Sequence, residues 1–241
     1  DLHDLIFLKS RKKNHKLSFY GKFSKKIGKN NTIFKLLTIL DKKKLLNNQK
    51  FEIKIKKNIP QKAGLGGGSM NAATLLSYFI KKKIIKLDKN QKILTLTKKI
   101  GSDVILGIKP QSTILTSNSN ISKFNIKKKT HILLVKPNFG CSTKYVYSKI
   151  RNFTKPQFNC PKIAMFEHKY LKNLKNDLEK IAFLKYPKLK KIKFFLETLP
   201  NVIFVRMTGS GSTIVAYFYS KQASIHARKK IKKISKSNWC I

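Results

Sequence analysis

The chain is 241 residues long, 41% apolar and 10% aromatic, enough for one large or two modest packed domains, and this excludes wholesale disorder. It carries 54 basic residues against 10 acidic ones, a formal net charge of +44. No apolar run approaches the roughly 18 residues that cross a bilayer, and residues 1–20 lack the apolar stretch and cleavage site of a signal peptide, so a cytoplasmic protein with no membrane partner is expected.

In chain order, residues 2–8 and 15–20 read as two strands joined by the basic turn Lys9–Asn14. Asn31 and Thr32 open a helix whose apolar face is Ile33, Leu36, Leu37 and Leu40. Residues 51–56 alternate apolar and basic, as a half-buried strand does. A glycine-rich loop follows from Pro60 to Gly68, and Ala72, Leu75, Leu76, Phe79 and Ile80 mark the buried face of the next helix. A further helix over about 89–100 stops at Gly101. The polar stretch 111–125 predicts a weak strand pair, and 131–136 a buried strand ending at Pro137. Helices are expected over 143–151, 167–184 and 187–198, then strands 201–207 and 212–219 about the glycine turn Thr208–Gly211, then a basic helix over 222–235. A soft domain boundary is placed near 137–142, dividing the chain into 1–137 and 138–241.

The charge invites a nucleic-acid or anionic-surface reading. Two features weaken it. The basic residues are nearly all lysine, with arginine only at Arg11, Arg151, Arg206 and Arg228, whereas sequence-reading proteins rely on arginine for bidentate contacts. The lysines also run through every segment beside many Asn and Ile, as A/T-rich coding produces. Solvated lysine faces are the plainer account, with no specific nucleic-acid partner and only non-specific adhesion to polyanions at low salt. Cys141, Cys160 and Cys240 are odd in number and widely spaced, and His3, His15, His131, His168 and His226 show no ligand spacing. Neither a disulfide framework nor a metal site held by the protein is expected.

The segment Pro60-Gln61-Lys62-Ala63-Gly64-Leu65-Gly66-Gly67-Gly68-Ser69-Met70-Asn71-Ala72-Ala73 carries the most information. Clustered glycines let main-chain amides approach an anion, and the loop runs straight into a helix N-terminus, where free amides point back at it. No lysine follows Gly68, so the Walker pattern fails, and Ser69 stands where a Rossmann loop needs its third glycine. Two readings stay open on the loop alone: a phosphate cradle, or a tight strand-to-helix connection without a ligand.

With its neighbours the segment resembles the central motif of the GHMP kinases, and its triple glycine followed by Ser69 and Asn71-Ala72-Ala73 is most similar to the branch that phosphorylates 4-diphosphocytidyl-2-C-methyl-D-erythritol. Gly101-Ser102-Asp103-Val104 resembles the family's Gly-Ala-Asp-Val. Lys136-Pro137, Ser142-Thr143 with Tyr147, and Asn176-Asp177-Leu178-Glu179 with Tyr186-Pro187 match further family segments in order. Arg206-Met207-Thr208-Gly209-Ser210-Gly211-Ser212 resembles its second glycine loop. The resemblance spans essentially the whole chain.

It implies an α+β, two-domain GHMP kinase fold, with an N-terminal domain like ribosomal protein S5 domain 2 and a ferredoxin-like C-terminal domain. It implies ATP and Mg²⁺ as cofactors and phosphorylation of the 2-hydroxyl of that cytidyl substrate in the non-mevalonate isoprenoid pathway, by a monomer or homodimer. Carried over residue by residue, Asp103 is the catalytic carboxylate. Pro60 through Met70, with Gly209 and Gly211, line the nucleotide, Thr143 meets the substrate, and Tyr147 stacks on its cytosine. Ordinary roles stand beside these: Asp103 as a turn or cap aspartate, Thr143 as a helix cap, Tyr147 as packing, Gly209 and Gly211 as a hairpin turn. The family also opens with a strand bearing Ala-Lys-Ile-Asn-Leu, whose lysine is catalytic, and then Asp-Gly-Tyr-His. Neither run occurs, and residue 1 corresponds to a position just past them. Val104-Ile105-Leu106 replaces the usual Val-Pro-Phe, and Met70 stands where serine is frequent. The competing readings are another GHMP kinase of homoserine or mevalonate type, a polyanion-binding protein on a kinase scaffold, and an inactive fragment.

Overall fold

The computed structural model describes residues 2–87, 90–109, 111–127 and 129–241, with the side chains of 90 and 91 outside that description. The chain packs as two compact units, one of Asp1–Gln61 with Gly66–Pro110 and one of Lys62–Leu65 with Gln111–Ile241.

In the first unit, β1 (Leu5–Arg11), β2 (Lys16–Tyr20) and β3 (Lys50–Lys56) form a sheet of order β1-β3-β2. β1 is antiparallel to β3 and β2 parallel to it, so the β2-to-β3 connection must be a crossover. The helix α1 (Thr32–Lys42) supplies it. Its start is fixed by Asn31, whose side chain accepts the amides of Ile33 at 3.1 Å and Phe34 at 3.0 Å. The predicted face Ile33, Leu36, Leu37 and Leu40 is buried and packs with Ile53 and Ile55 of β3 and Leu75, Leu76 and Phe79 of α2 (Gly67–Lys81) in one core. Full burial stabilises each such side chain by roughly 1.5–3 kcal/mol. On the other face of β3, Glu52 gathers Lys9 at 3.3 Å and Lys16 and Lys54 at 3.7 Å each. α3 (Asn90–Ile100) is followed by a 3-10 turn over Val104–Gly107 that the sequence did not announce.

The second unit has a four-stranded antiparallel sheet of order β7-β8-β6-β9, from β6 (His131–Lys136), β7 (Val202–Met207), β8 (Ile214–Phe218) and β9 (Trp239–Cys240), beside a β4 (Ser112–Leu115) and β5 (Ile121–Phe124) hairpin. α7 (Pro187–Glu197) and α8 (Lys221–Ile234) pack Leu189, Ile192, Ala227 and Ile231 onto Leu133, Val205, Ile214, Ala216 and Phe218. β6 pairs with β8 and β9, which draws it into this unit, whereas the sequence reading set the boundary after it, at 137. The helix expected over 167–184 is two, α5 (His168–Asn173) and α6 (Asp177–Lys185). It breaks because Asn176 takes extended angles and caps α6 through the Leu178 amide at 3.0 Å. The helix expected over 143–151 is the shorter α4 (Thr143–Ser148). No described helix is long and apolar enough to cross a membrane.

Candidate active site

The two ends of the glycine loop, 60–61 and 66–68, lie in the first unit. Pro60 is buried, and Gln61 donates to the carbonyls of Phe23 at 2.6 Å and Lys25 at 2.8 Å. Gly66 is the N-cap of α2 with φ +63°, a left-handed conformation suited to glycine, and no side chain caps the helix. Met70 donates to Gly66 O at 2.9 Å, so the amides of Gly67, Gly68 and Ser69 precede the first intrahelical bond. They have no acceptor among the described residues. Bare amides at a helix start form an anion site. Gly67 also has no room for a side chain, since a Cβ there would lie 3.0 Å from Ile59 Cγ2.

Asp103 belongs to the same unit. Gly101, two residues before it, is close enough to α2 that an added Cβ would lie 4.0 Å from Ser69 Oγ, and one on Gly107 would lie 2.7 Å from Ala73 Cβ and 2.9 Å from Met70 Sδ. The 101–107 segment is therefore pressed against the first turns of α2. Asp103 stands just before the 3-10 turn, does not cap it with its side chain, is exposed, and among the described residues accepts only from Ser102 Oγ at 3.1 Å. Sequence reasoning passed over Gly107, although a glycine inside an apolar helical run signals close backbone approach.

It also passed over Asp4, whose side chain is 0% exposed. Oδ1 accepts the amides of Asn58 at 2.7 Å and Ile59 at 2.9 Å, while Oδ2 accepts Asn71 Nδ2 at 2.8 Å and the ammonium of Lys57. Burial pushes its pKa up, but the bonds from Lys57, Ile59 and Asn71 and the Lys57 charge outweigh that and hold it below the ordinary value.

The middle of the loop, Lys62–Leu65, belongs to the second unit. Lys62 O accepts the amides of Cys141 at 3.2 Å and Ser212 at 3.3 Å, and Ala63 O that of Thr213 at 3.2 Å. Gly64, with φ +69°, lies against Thr208. Gly209 and Gly211, with φ +51° and +83°, turn β7 into β8, and Asn176 Nδ2 braces that turn through Met207 O at 2.9 Å and Gly209 O at 2.8 Å. Thr143 opens α4, but Ser142 is the residue that caps it. The Thr143 hydroxyl instead meets the buried Ser210 hydroxyl at 2.8 Å. Tyr147 is 53% exposed and has no ring contact among the described residues. Nearby, Lys136 donates to Pro137 O at 2.9 Å and Phe139 O at 2.8 Å. Burial lowers its pKa and pushes the Cys141 thiol up to about 11. All three cysteines are free thiols.

Residues 31–110 match the N-terminal domain of the GHMP kinases. A 4-diphosphocytidyl-2-C-methyl-D-erythritol kinase of Pelagibacter ubique (strain HTCC1062) is 62% identical over 100% of this chain and 86% of its own length. The enzyme of the same name from Petrotoga mobilis is 33% identical over 79% of this chain and 76% of its own. Among solved structures, a 4-(cytidine 5'-diphospho)-2C-methyl-D-erythritol kinase superposes with a TM-score of 0.70 at 21% identity, covering 99% of this chain and 85% of that one. A homoserine kinase from Cytophaga hutchinsonii gives 0.72 at 14% identity, over 99% and 84%. At such identities the superpositions speak for the fold, and it is the two-domain GHMP kinase fold. With a match that runs the whole length of the sequence, and with both glycine motifs and the Gly-Ser-Asp-Val segment in family order, this chain belongs to the GHMP kinases, in the family of the 4-diphosphocytidyl-2-C-methyl-D-erythritol kinases.

Proposed function

We infer that the chain transfers the γ-phosphoryl group of ATP to the 2-hydroxyl of 4-diphosphocytidyl-2-C-methyl-D-erythritol, a step of non-mevalonate isoprenoid synthesis. The observation that carries this is the 62% identity over the whole chain to a kinase of that name. Phosphoryl transfer asks a protein mainly for positioning and for stabilisation of charge. The uncapped amides of Gly67, Gly68 and Ser69 suit oxygens of a triphosphate, because they are donors already aimed outward and backed by the helix dipole. Pro60 to Met70, with Gly209 and Gly211, are assigned to the nucleotide. Asp103 is assigned to orient the acceptor hydroxyl and receive its proton, for which an exposed carboxylate without a strong partner is suited. Thr143 is assigned to the substrate near its reacting end. Tyr147 is assigned to stack on cytosine, a contact worth roughly 1–3 kcal/mol in comparable base stacks.

No group of three or more His, Cys, Asp or Glu is gathered for a metal among the described residues. Mg²⁺, which the family resemblance implies, would offset part of the charge of the triphosphate. A cytoplasmic location and a monomeric or dimeric enzyme complete the proposal. Homoserine kinase and mevalonate kinase share the fold, but the sequence relatives above carry the other name. Exposed lysines lie on strands and helices of both units, Lys54 and Lys98 in one and Lys190 and Lys229 in the other, which favours solvated surfaces over a dedicated polyanion site. A substrate panel with Mg-ATP tests the reading: the cytidyl substrate is phosphorylated, and homoserine and mevalonate are not. Transfer to homoserine with none to the cytidyl substrate overturns it.

A further inference from the structure

Asp4 joins three separate stretches of chain. It stands just before β1, its Oδ1 holds the amides of Asn58 and Ile59 as the chain leaves β3, and its Oδ2 holds Asn71 in the early turns of α2. Residues 58–59 and 71 bracket the glycine loop. Lys57, whose side chain is 6% exposed, completes the set of four donors and neutralises the carboxylate. A bare buried charge would be costly, but here each oxygen accepts two hydrogen bonds and the pair adds no net charge behind a site suited to an anion. Apolar packing could hold the sheet to α2 equally well. It could not fix the direction of two amides and one carboxamide at once, which a carboxylate does.

We propose that Asp4 is a positioning residue for phosphoryl transfer: by clasping both stems of the glycine loop it sets the angle at which Gly67, Gly68 and Ser69 present their amides to the triphosphate. The inference rests on the function proposed above. Asn71 reports it, because Asn71→Ala cuts the rear stem while leaving Asp4 paired with Lys57 and the amides of 58 and 59. In the full chain, Asn71→Ala is expected to stay folded and raise KM for ATP about tenfold, with KM for the cytidyl substrate unchanged. Asp4→Asn raises the ATP KM further. The exchange Asp4→Asn with Asn71→Asp returns a carboxylate to Lys57 and a carboxamide to its partner, and recovers most of the loss. A general weakening of the fold would reduce the active fraction, which a melting curve shows, without moving one KM alone. An unchanged ATP KM in folded Asn71→Ala, equal rises in both KM values, or no recovery in the exchange overturns the clasp. A parent chain that transfers nothing from ATP overturns the function and the clasp together, whereas an active parent with an unmoved variant overturns the clasp only.

Discussion

The hydroxyl of Thr208 donates to the carbonyl oxygen of Gly64 at 2.9 Å, and the two backbones are so close that a Cβ on Gly64 would lie 2.1 Å from Thr208 O. Gly64 is thus locked against the second glycine motif, 144 residues later in sequence. Gly211 donates back to Thr208 O at 3.0 Å and Thr208 N to Thr213 O at 2.9 Å, so both backbone polar groups of Thr208 are paired within the turn that faces Gly64. Gly64 and Gly209 serve close backbone approach here.

Gly64→Ala should therefore be among the most damaging single-atom additions in the protein. It adds a side chain at φ +69° and drives it into backbone that cannot rotate away. Strained angles cost about 1–3 kcal/mol and forced overpacking a similar amount. The expected result is a loss of about 2–5 kcal/mol in urea unfolding. Gly66→Ala, at a similar φ of +63° but with nothing within 4 Å of its Cβ, should lose only the strain, about 1 kcal/mol. Equal losses in the two would show that the backbone contact does not matter.

Asp103→Asn separates chemistry from stability. The side chain is exposed and, among the described residues, bonded only to Ser102, so the melting temperature should move by less than about 2 °C, as for other exposed substitutions. If the carboxylate receives the hydroxyl proton, kcat should fall about 10²- to 10⁴-fold with KM for ATP little changed. A variant with parental kcat would return Asp103 to the role of a turn residue.

Most of the elements were legible from local signals, because their causes are local. Asn31 as a cap, the periodic apolar residues of α1, the alternation in β3 and the Thr208–Gly211 turn each depend on neighbours a few positions away. The two-residue β9 escaped notice, since it is defined by partners in β6 rather than by its own pattern. The split of 167–184 was written in Asn176, whose capping preference lost out to the apolar periodicity on either side. The loop and Asp103 were legible through motif order. Asp4 was not, because its four donors arrive from positions 53 to 67 residues away. Its one local hint was scarcity: a chain with only 10 acidic residues places one beside Leu5, at the start of an apolar strand.

The Asp4–Lys57 pair also makes an acid-stability prediction whose sign follows from its shift. The folded pKa lies below the ordinary value of 3.8, so the pair's contribution is fully present above about pH 4–5 and lost as pH falls through the folded pKa. Lys57→Met weakens this. It leaves a buried carboxylate without the Lys57 charge, held by the amides of 58 and 59 and by Asn71, so burial weighs more and the folded pKa moves up from the parent's. The variant's deficit should then be about 3 kcal/mol or more at pH 7, the usual cost of breaking a buried pair. It should shrink as pH falls toward about 3, because protonating Asp4 costs the variant less stability than it costs the parent. Urea midpoints for both proteins between pH 7 and pH 3 measure the difference. A gap that stays constant over that range would mean that the carboxylate is not held by Lys57 in solution.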